Sequence, residues 1–432
     1  MRDPSGRGPR ARRTCALFVA VPCLLLVACQ LVAGIDRVQK ESAPGAGPDA
    51  GPETSTIPDP CAHAAPPPPP DTDDDPVLDN QLAPFYVATS EIHLFGKPDG
   101  GAGAVQGFDL DGVCTCDTRP GSAHAGGAAC LGPRSCDRDG GIDNGTLSLL
   151  DVFGAFLPPG TDLDTAASLN TRIAVGDETL LFAISNYNGR ANDKEVTVGI
   201  LLSHGIQDGT GCGTDVGRPR PPYPPGYCGR DRWTVDPDAV IGAAPPYAPS
   251  IAATAYVNDH RLVIDNEKGS FQIPFGDVSL TMFSPIVVAT IVPLDAAGNP
   301  RDPSLPPSGR SDGNFRLDDG VLAGRIPASS MLAVAGALRT PGSADSGPDQ
   351  KYLCQSAVFA VVKSELCKQR DIASSKQVDF DPKATCDAIS ATTTFFARPA
   401  MAGARYRPPD FFNACIVSGN DAGTLAERYR CP

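Results

Sequence analysis

Between about residue 84 and residue 338, apolar side chains recur with a period of two, broken by Gly, Pro, Asn and Asp. Thr179 to Ile184 is a short apolar run bounded by Gly176-Asp177 and Asn186. Val196, Val198, Ile200 and Leu202 alternate with Thr197, Gly199 and Leu201, and Phe271, Ile273 and Phe275 alternate with Gln272 and Pro274. Val278, Leu280 and Met282 repeat the period, Ile286 to Val292 is almost wholly apolar, and Val321–Ile326 and Met331–Leu338 close the series. Short runs of this period between turn residues predict a mainly β fold, an antiparallel β-sandwich or barrel. Pro274, which cannot donate to a ladder, predicts an edge strand or a bulge.

The pattern changes after about residue 350. Leu353, Ala357, Val358, Val361, Val362 and Leu366 fall at helical spacing, predicting a helix within Tyr352–Lys368. A second, weaker helix is predicted over Ala384–Ala397. Five cysteines in this stretch make it a small disulfide-stapled α-helical C-terminal subdomain packed on the sheet. The expected organisation is a leader over 1–28, a tether over 29–82, a β domain over 83–345 and a Cys-rich helical tail over 346–432. The tether reading rests on 11 Pro, 8 acidic residues and no Lys or Arg between Glu41 and Pro76, with a polyproline run at Pro66–Pro70. Such a segment is extended and cannot bury a core of its own.

The 36 Lys and Arg stand against 50 Asp and Glu, a net charge of −14, which excludes nucleic acid as a partner. Five of the Arg lie in the first 13 residues, before an apolar run from Cys15 to Ala28. That run is too short for a transmembrane helix and has the layout of an export signal. It ends Leu26-Val27-Ala28-Cys29, which resembles the lipobox of bacterial lipoproteins. The resemblance covers about the first thirty residues. It implies that Cys29 is lipidated and becomes the amino terminus, so that membrane lipid is the first partner. Gln30 after it implies the outer membrane or cell surface. Cleavage there would leave 31 basic and 49 acidic residues, net −18. The stretches GFDLDG, GGIDNG, NYNGRANDKEVTV, RWTVDPDAV and CDAISATTTFFARPA also resemble a set of large uncharacterised bacterial surface lipoproteins, a likeness that implies no activity.

Removing Cys15, Cys23 and Cys29 leaves 12 cysteines, an even number suited to disulfides in an oxidising compartment. Cys114, Cys116, Cys130 and Cys136 lack the Cys-x2-Cys knuckle of zinc sites. Local closure predicts that these four pair among themselves and that Cys212 pairs with Cys228. The odd count among Cys354, Cys367, Cys386, Cys415 and Cys431 leaves one tail cysteine for Cys61.

Candidate chemistry is sparse. Gly309-Arg310-Ser311-Asp312-Gly313 matches Gly-x-Ser-x-Gly, but prolines precede it where a nucleophile elbow needs a strand. Of the five His, His204 is the most notable, at the end of a predicted strand beside a long loop. That loop carries Arg218, Arg220, Tyr223, Tyr227, Arg230, Arg232 and Trp233, the sole Trp. Arg forks bind carboxylates or sulfates, and flat rings stack on sugars, so the loop is a candidate ligand site. The competing reading is a rigid cap whose Arg side chains pair with an acidic body. Asp109-x-Asp111-Gly112 and Asp137-x-Asp139-Gly140-Gly141-Ile142-Asp143 form two Asp/Gly loops. Alternating carboxylates with a Gly bend predict a weak calcium site, although no Glu closes either loop as in an EF-hand. Ordinary turns are the competing reading. The two function classes are a non-catalytic, anchored envelope protein that binds glycan, protein or another envelope component, and an anchored hydrolase of polysaccharide or peptide.

Overall fold

The computed structural model describes residues 63–74, 82–94, 105–115, 130–131, 136–149, 165–207, 225–275, 278–295, 297–302, 314–338, 352–379, 381, 383–408, 415 and 427–432. Its strands are β1 (Phe85–Leu94), β2 (Thr179–Ser185), β3 (Asp193–Ser203), β4 (Arg232–Val235), β5 (Val240–Ile241), β6 (Ala248–Pro249), β7 (Ala253–Asn258), β8 (Arg261–Asp265), β9 (Ser270–Phe275), β10 (Val278–Pro293), β11 (Phe315–Pro327) and β12 (Ala388–Arg405). Its helices are α1 (Thr165–Val175), α2 (Ala328–Ala337) and α3 (Val358–Lys368).

Eight strands run in the order β1-β2-β3-β7-β8-β10-β11-β12, and β12 returns to pair with β1. Every one of these pairings is antiparallel, so the expected sandwich or barrel is a closed barrel. Closure pairs β1 with β12, the two strands that would be the edges of an open sheet. β9 pairs only with β10, and Pro274 lies in this edge strand, opposite Ser279. β4 runs parallel to the end of β12.

The period-two pattern fills the barrel. Val87, Phe182, Ile184, Val198, Leu262, Ile264, Leu317 and Phe395 belong to one interior cluster. Phe182 stacks on Phe395 with ring centroids 5.2 Å apart, and Phe85 meets Phe315 at 4.7 Å. Leu169 and Ile173 of α1 join the same cluster. The asparagine side chain of Asn170 ties α1 to β1 by accepting from the Ile92 N–H and donating to its carbonyl, both at 2.8 Å. The outward positions are covered too. Leu181 and Leu201 pack under Trp233, Val235 and Tyr247, and Val263, Ile286 and Val288 pack under Phe108, Leu110 and Ile372.

Two element predictions are corrected. Met331–Leu338 is part of helix α2 and its cap, not a strand. A short apolar run is ambiguous by period alone, and here the Ala-rich composition favours the helix. The helix predicted over Ala384–Ala397 is instead the start of β12, an 18-residue strand. Thr392-Thr393-Thr394-Phe395-Phe396 is a run of β-branched and aromatic residues, which favours strand over helix. Among the described residues the expected α-helical tail therefore contributes one α-helix, α3, short 3-10 turns and a barrel strand.

The disulfides also depart from the local scheme. Cys130 joins Cys386, 256 positions away, rather than a neighbour in the 114–136 group. The physical cause is a backbone bridge: the Leu131 N–H donates to the Ala384 carbonyl at 2.7 Å, and the Cys386 N–H to the Leu131 carbonyl at 2.8 Å. Cys354–Cys415 and Cys367–Cys431 use the other four tail cysteines, so no tail cysteine is left for Cys61. Cys114, Cys136 and Cys228 are also disulfide-bonded, while Cys61, Cys116 and Cys212 lie outside the described residues.

Part of the expected tether lies on the barrel. The carbonyls of Pro67 and Pro68, unpaired within a polyproline segment, accept from Tyr256 Oη and Asn258 Nδ2. Asp74 accepts from the Asn192 N–H at 2.9 Å.

Candidate functional site

Two Asp/Gly loops meet on the outer wall formed by β11 and β12. The Asp143 N–H donates to the Phe108 carbonyl at 3.0 Å, which lays the second loop along the first. Asp143 Oδ2 then accepts from the N–H groups of Leu110 and Asp111 at 2.5 and 3.3 Å. Asp109 Oδ1 accepts from Gly112 N–H at 2.6 Å, and Asp111 Oδ1 from Val113 N–H at 2.9 Å. Gly141, at φ +73°, permits the approach: a Cβ there would stand 3.0 Å from Cys114 Sγ and 3.4 Å from Asp109 Oδ2.

One carboxylate oxygen from each of Asp109, Asp111 and Asp143 lies within 4.8 Å of the other two. Asp111 and Asp143 are buried. His63, expected in the tether, sets its Nδ1 against Asp109 Oδ2. Asp137 borders the cluster and accepts from Thr115 N–H at 2.6 Å. Asp139, the fifth predicted ligand, is exposed in the turn. Burial and the neighbouring carboxylates hold Asp143 well above the usual carboxylate range, push Asp111 up to about 7 and push Asp137 up to about 8.

Two functional-looking groups beneath the cluster have no counterpart in the sequence reading. Asp371 is buried, and its oxygens accept from Ser390 N–H and Oγ; burial pushes it up to about 6. Arg325, 1% exposed, pairs with Asp379 and donates to the carbonyls of Ala373 and Leu110 at 2.9 and 2.7 Å. A lone Arg in the apolar strand GVLAGRIP was the available signal.

Asp371 and Asp137 carry raised values in the fold, whereas an unfolded Asp titrates near 4. The fold thus holds protons that the unfolded chain releases. Their contribution to stability is complete below about pH 4 and lost as pH rises through about 6 and about 8. In buffer stripped of divalent cations, the melting temperature should fall between about pH 5 and pH 8. A flat or rising profile over that range would contradict this account.

A second feature is a cleft that reaches the barrel's interior cluster. β3 pairs with β7 only as far as Val198 opposite Ala253, so Ile200 and Leu202 run on beyond that ladder. They line a cavity of about 320 Å³ with Val198, Ile264 and Phe271. Asp236, Asp238 and Arg407 stand at its polar end. Arg407 Nη2 reaches Asp236 Oδ1 at 2.5 Å and Asp238 Oδ2 at 2.6 Å, and His204 Nε2 lies 3.4 Å from Asp236 Oδ2. Burial pushes Asp236 upward, but the Arg407 and Asp238 hydrogen bonds outweigh it and hold the group below its ordinary value.

The Arg/aromatic loop does not assemble as a binding surface among the described residues. Arg230 and Arg232 are exposed and Tyr227 is half-buried, but Trp233 is 0% exposed within the cluster over β2 and β3. Its ring cannot stack on a ligand from solvent, which corrects its assignment as a platform and fits the cap. Arg218, Arg220 and Tyr223 lie outside the described residues, as does Gly309–Gly313. The chain matches no known family, no curated protein and no solved structure. Among the described residues no helix is long and apolar enough to cross a membrane.

Proposed function

We propose that this is a lipid-anchored protein of the bacterial envelope, held by acylated Cys29 at the outer membrane or cell surface. Its barrel acts there as a non-catalytic binding or structural module for a glycan, a protein or another envelope component. The observation that carries the reading is the set of disulfides across 61, 64 and 256 positions. Such bonds persist in oxidising compartments, as the export signal requires. A rigid barrel also presents loops without large internal rearrangement. The acidic surface, repelled by anionic lipid, suits a body suspended from acyl chains.

The hydrolase reading would place its two carboxylates in the cleft, at Asp236 and Asp238. A glycosidase needs one carboxyl kept protonated as general acid. Asp236 is held ionised by Arg407, and the Asp238 side chain is 79% exposed, so neither is prepared for that role.

Cys29→Ser should accumulate as unprocessed precursor or fail to enter a detergent phase. A variant that still partitions with membranes at wild-type size would overturn the anchor. Purified protein should leave a panel of chromogenic glycosides and esters unchanged. Turnover abolished by Asp236→Asn would establish the hydrolase instead.

A further inference from the structure

We propose that Asp109, Asp111 and Asp143 form a calcium site that fastens the two acidic loops to each other and to the barrel wall. The inference goes beyond the anchored-module reading and does not depend on it.

Three carboxylates from two loops converge within 4.8 Å, an arrangement that repels itself unless protons or a bound cation neutralise it. Convergence alone would not distinguish a site from a turn. Asp111 supplies the second observation: the residue is 4% exposed, and its Oδ2 is enclosed without a hydrogen-bond partner among the described residues. A buried carboxylate oxygen without a donor is costly, and a bound cation would satisfy it. The other oxygens are already positioned by backbone N–H groups, at Gly112 for Asp109, Val113 for Asp111, and Leu110 and Asp111 for Asp143. Their orientation is therefore set before any ion arrives.

The nearby guanidinium is committed elsewhere, while the nearby imidazole sits against Asp109. Arg325 is taken by Asp379 and two carbonyls, and His63 approaches one oxygen of Asp109. Around Asp143 the surrounding charges are the aspartates 109, 111, 137 and 371. The donor set is all oxygen, which selects a hard cation. Enclosure requires the ion to shed water, which Ca²⁺ does more readily than Mg²⁺. The nearby sulfur, Cys114 Sγ, is locked in a disulfide, so thiolate coordination of zinc is not offered there.

The consequence is mechanical. Residues 108–113 and 137–145 touch the barrel through Leu110 bonded to Arg325 of β11 and through Gly145 bonded to Ser390 of β12. An ion between the loops would close this set of contacts into one clamp.

The test uses the purified full-length protein in detergent, stripped with EDTA and titrated with CaCl₂ or MgCl₂. Wild type should bind one Ca²⁺ with a dissociation constant at or below about 1 mM, and bind Mg²⁺ more weakly. Saturating calcium should raise the melting temperature on the order of 5 °C. Asp111→Asn should weaken calcium binding at least about tenfold and lose the thermal response. In EDTA it should melt at or above wild type, because an amide replaces an enclosed charge. Asp139→Asn, altered in the exposed turn, should respond like wild type. The proposal fails if wild type neither binds nor shifts, if Asp111→Asn responds fully, or if Mg²⁺ binds more tightly. Should Asp111→Asn not fold, Asp109→Asn takes its place, and a wild-type titration without heat or shift still overturns the site.

Discussion

Trp233→Ala should lower the unfolding free energy by about 3–5 kcal/mol, among the largest effects of any single truncation in this chain. Trp233 is fully enclosed under β1, β2 and β3, against Tyr86, Leu181, Leu201, Tyr247 and Ala402. Removing the indole leaves a cavity that these neighbours, held by β-sheet backbones, cannot close. Its Nε1 is buried without an acceptor among the described residues, so part of the ring's contribution is offset by an unmade hydrogen bond. Trp233→Phe removes that donor and keeps much of the volume, and it should cost less than half as much as Trp233→Ala. Urea unfolding, followed by circular dichroism, measures both. If Trp233→Ala left the midpoint unchanged, the ring would not be part of the core, and a role as a ligand platform would return.

Arg325→Met should destabilise the fold by about 3–5 kcal/mol. The guanidinium is 1% exposed and its partner carboxylate on Asp379 is 6% exposed. Taking away the cation leaves Asp379 charged and enclosed, and it leaves the carbonyls of Leu110 and Ala373 without this donor. The penalty is chiefly that of the stranded partner, since a well-packed apolar pair can match a buried ion pair. Arg325→Met combined with Asp379→Leu should therefore recover at least half the loss. A double variant no more stable than Arg325→Met would show that the carbonyl bonds, and not the stranded carboxylate, set the cost.

The barrel was legible because its strands keep a period of two on walls with a packed interior. Val196, Val198 and Ile200 of β3 and Phe271 and Ile273 of β9 follow that period. Met331–Leu338 misled because eight apolar positions fit either a strand or a buried helix. Ala384–Ala397 misled because both faces of β12 are covered, by Phe395 inside and Ala388 outside, so the alternation is erased. The acidic site was half legible: the spacing picked out Asp109, Asp111 and Asp143, but it could not tell that Asp139 turns outward or that Asp371, from the segment after α3, and Arg325 of β11 arrive from distant parts of the chain. Trp233 shows the limit of composition. Arg and aromatic residues crowded in one loop look like a binding surface, yet the alternation Arg232-Trp233 on β4 sends one outward and the other into the core.

The ladder between β1 and β12 joins residues near 90 to residues near 395. A chain made amino-terminus first can build its hairpins early, but its two terminal barrel strands cannot meet until residues near 400 have been made. The Cys130–Cys386 bond waits for the same moment. Loop closure over so many residues is slow to arrive and is rewarded only at the end. Until then β1 and β11 present open edges, the kind of surface that pairs with other chains. The architecture thus leaves the growing polypeptide open-edged, and exposed to aggregation, for as long as its carboxyl end is delayed.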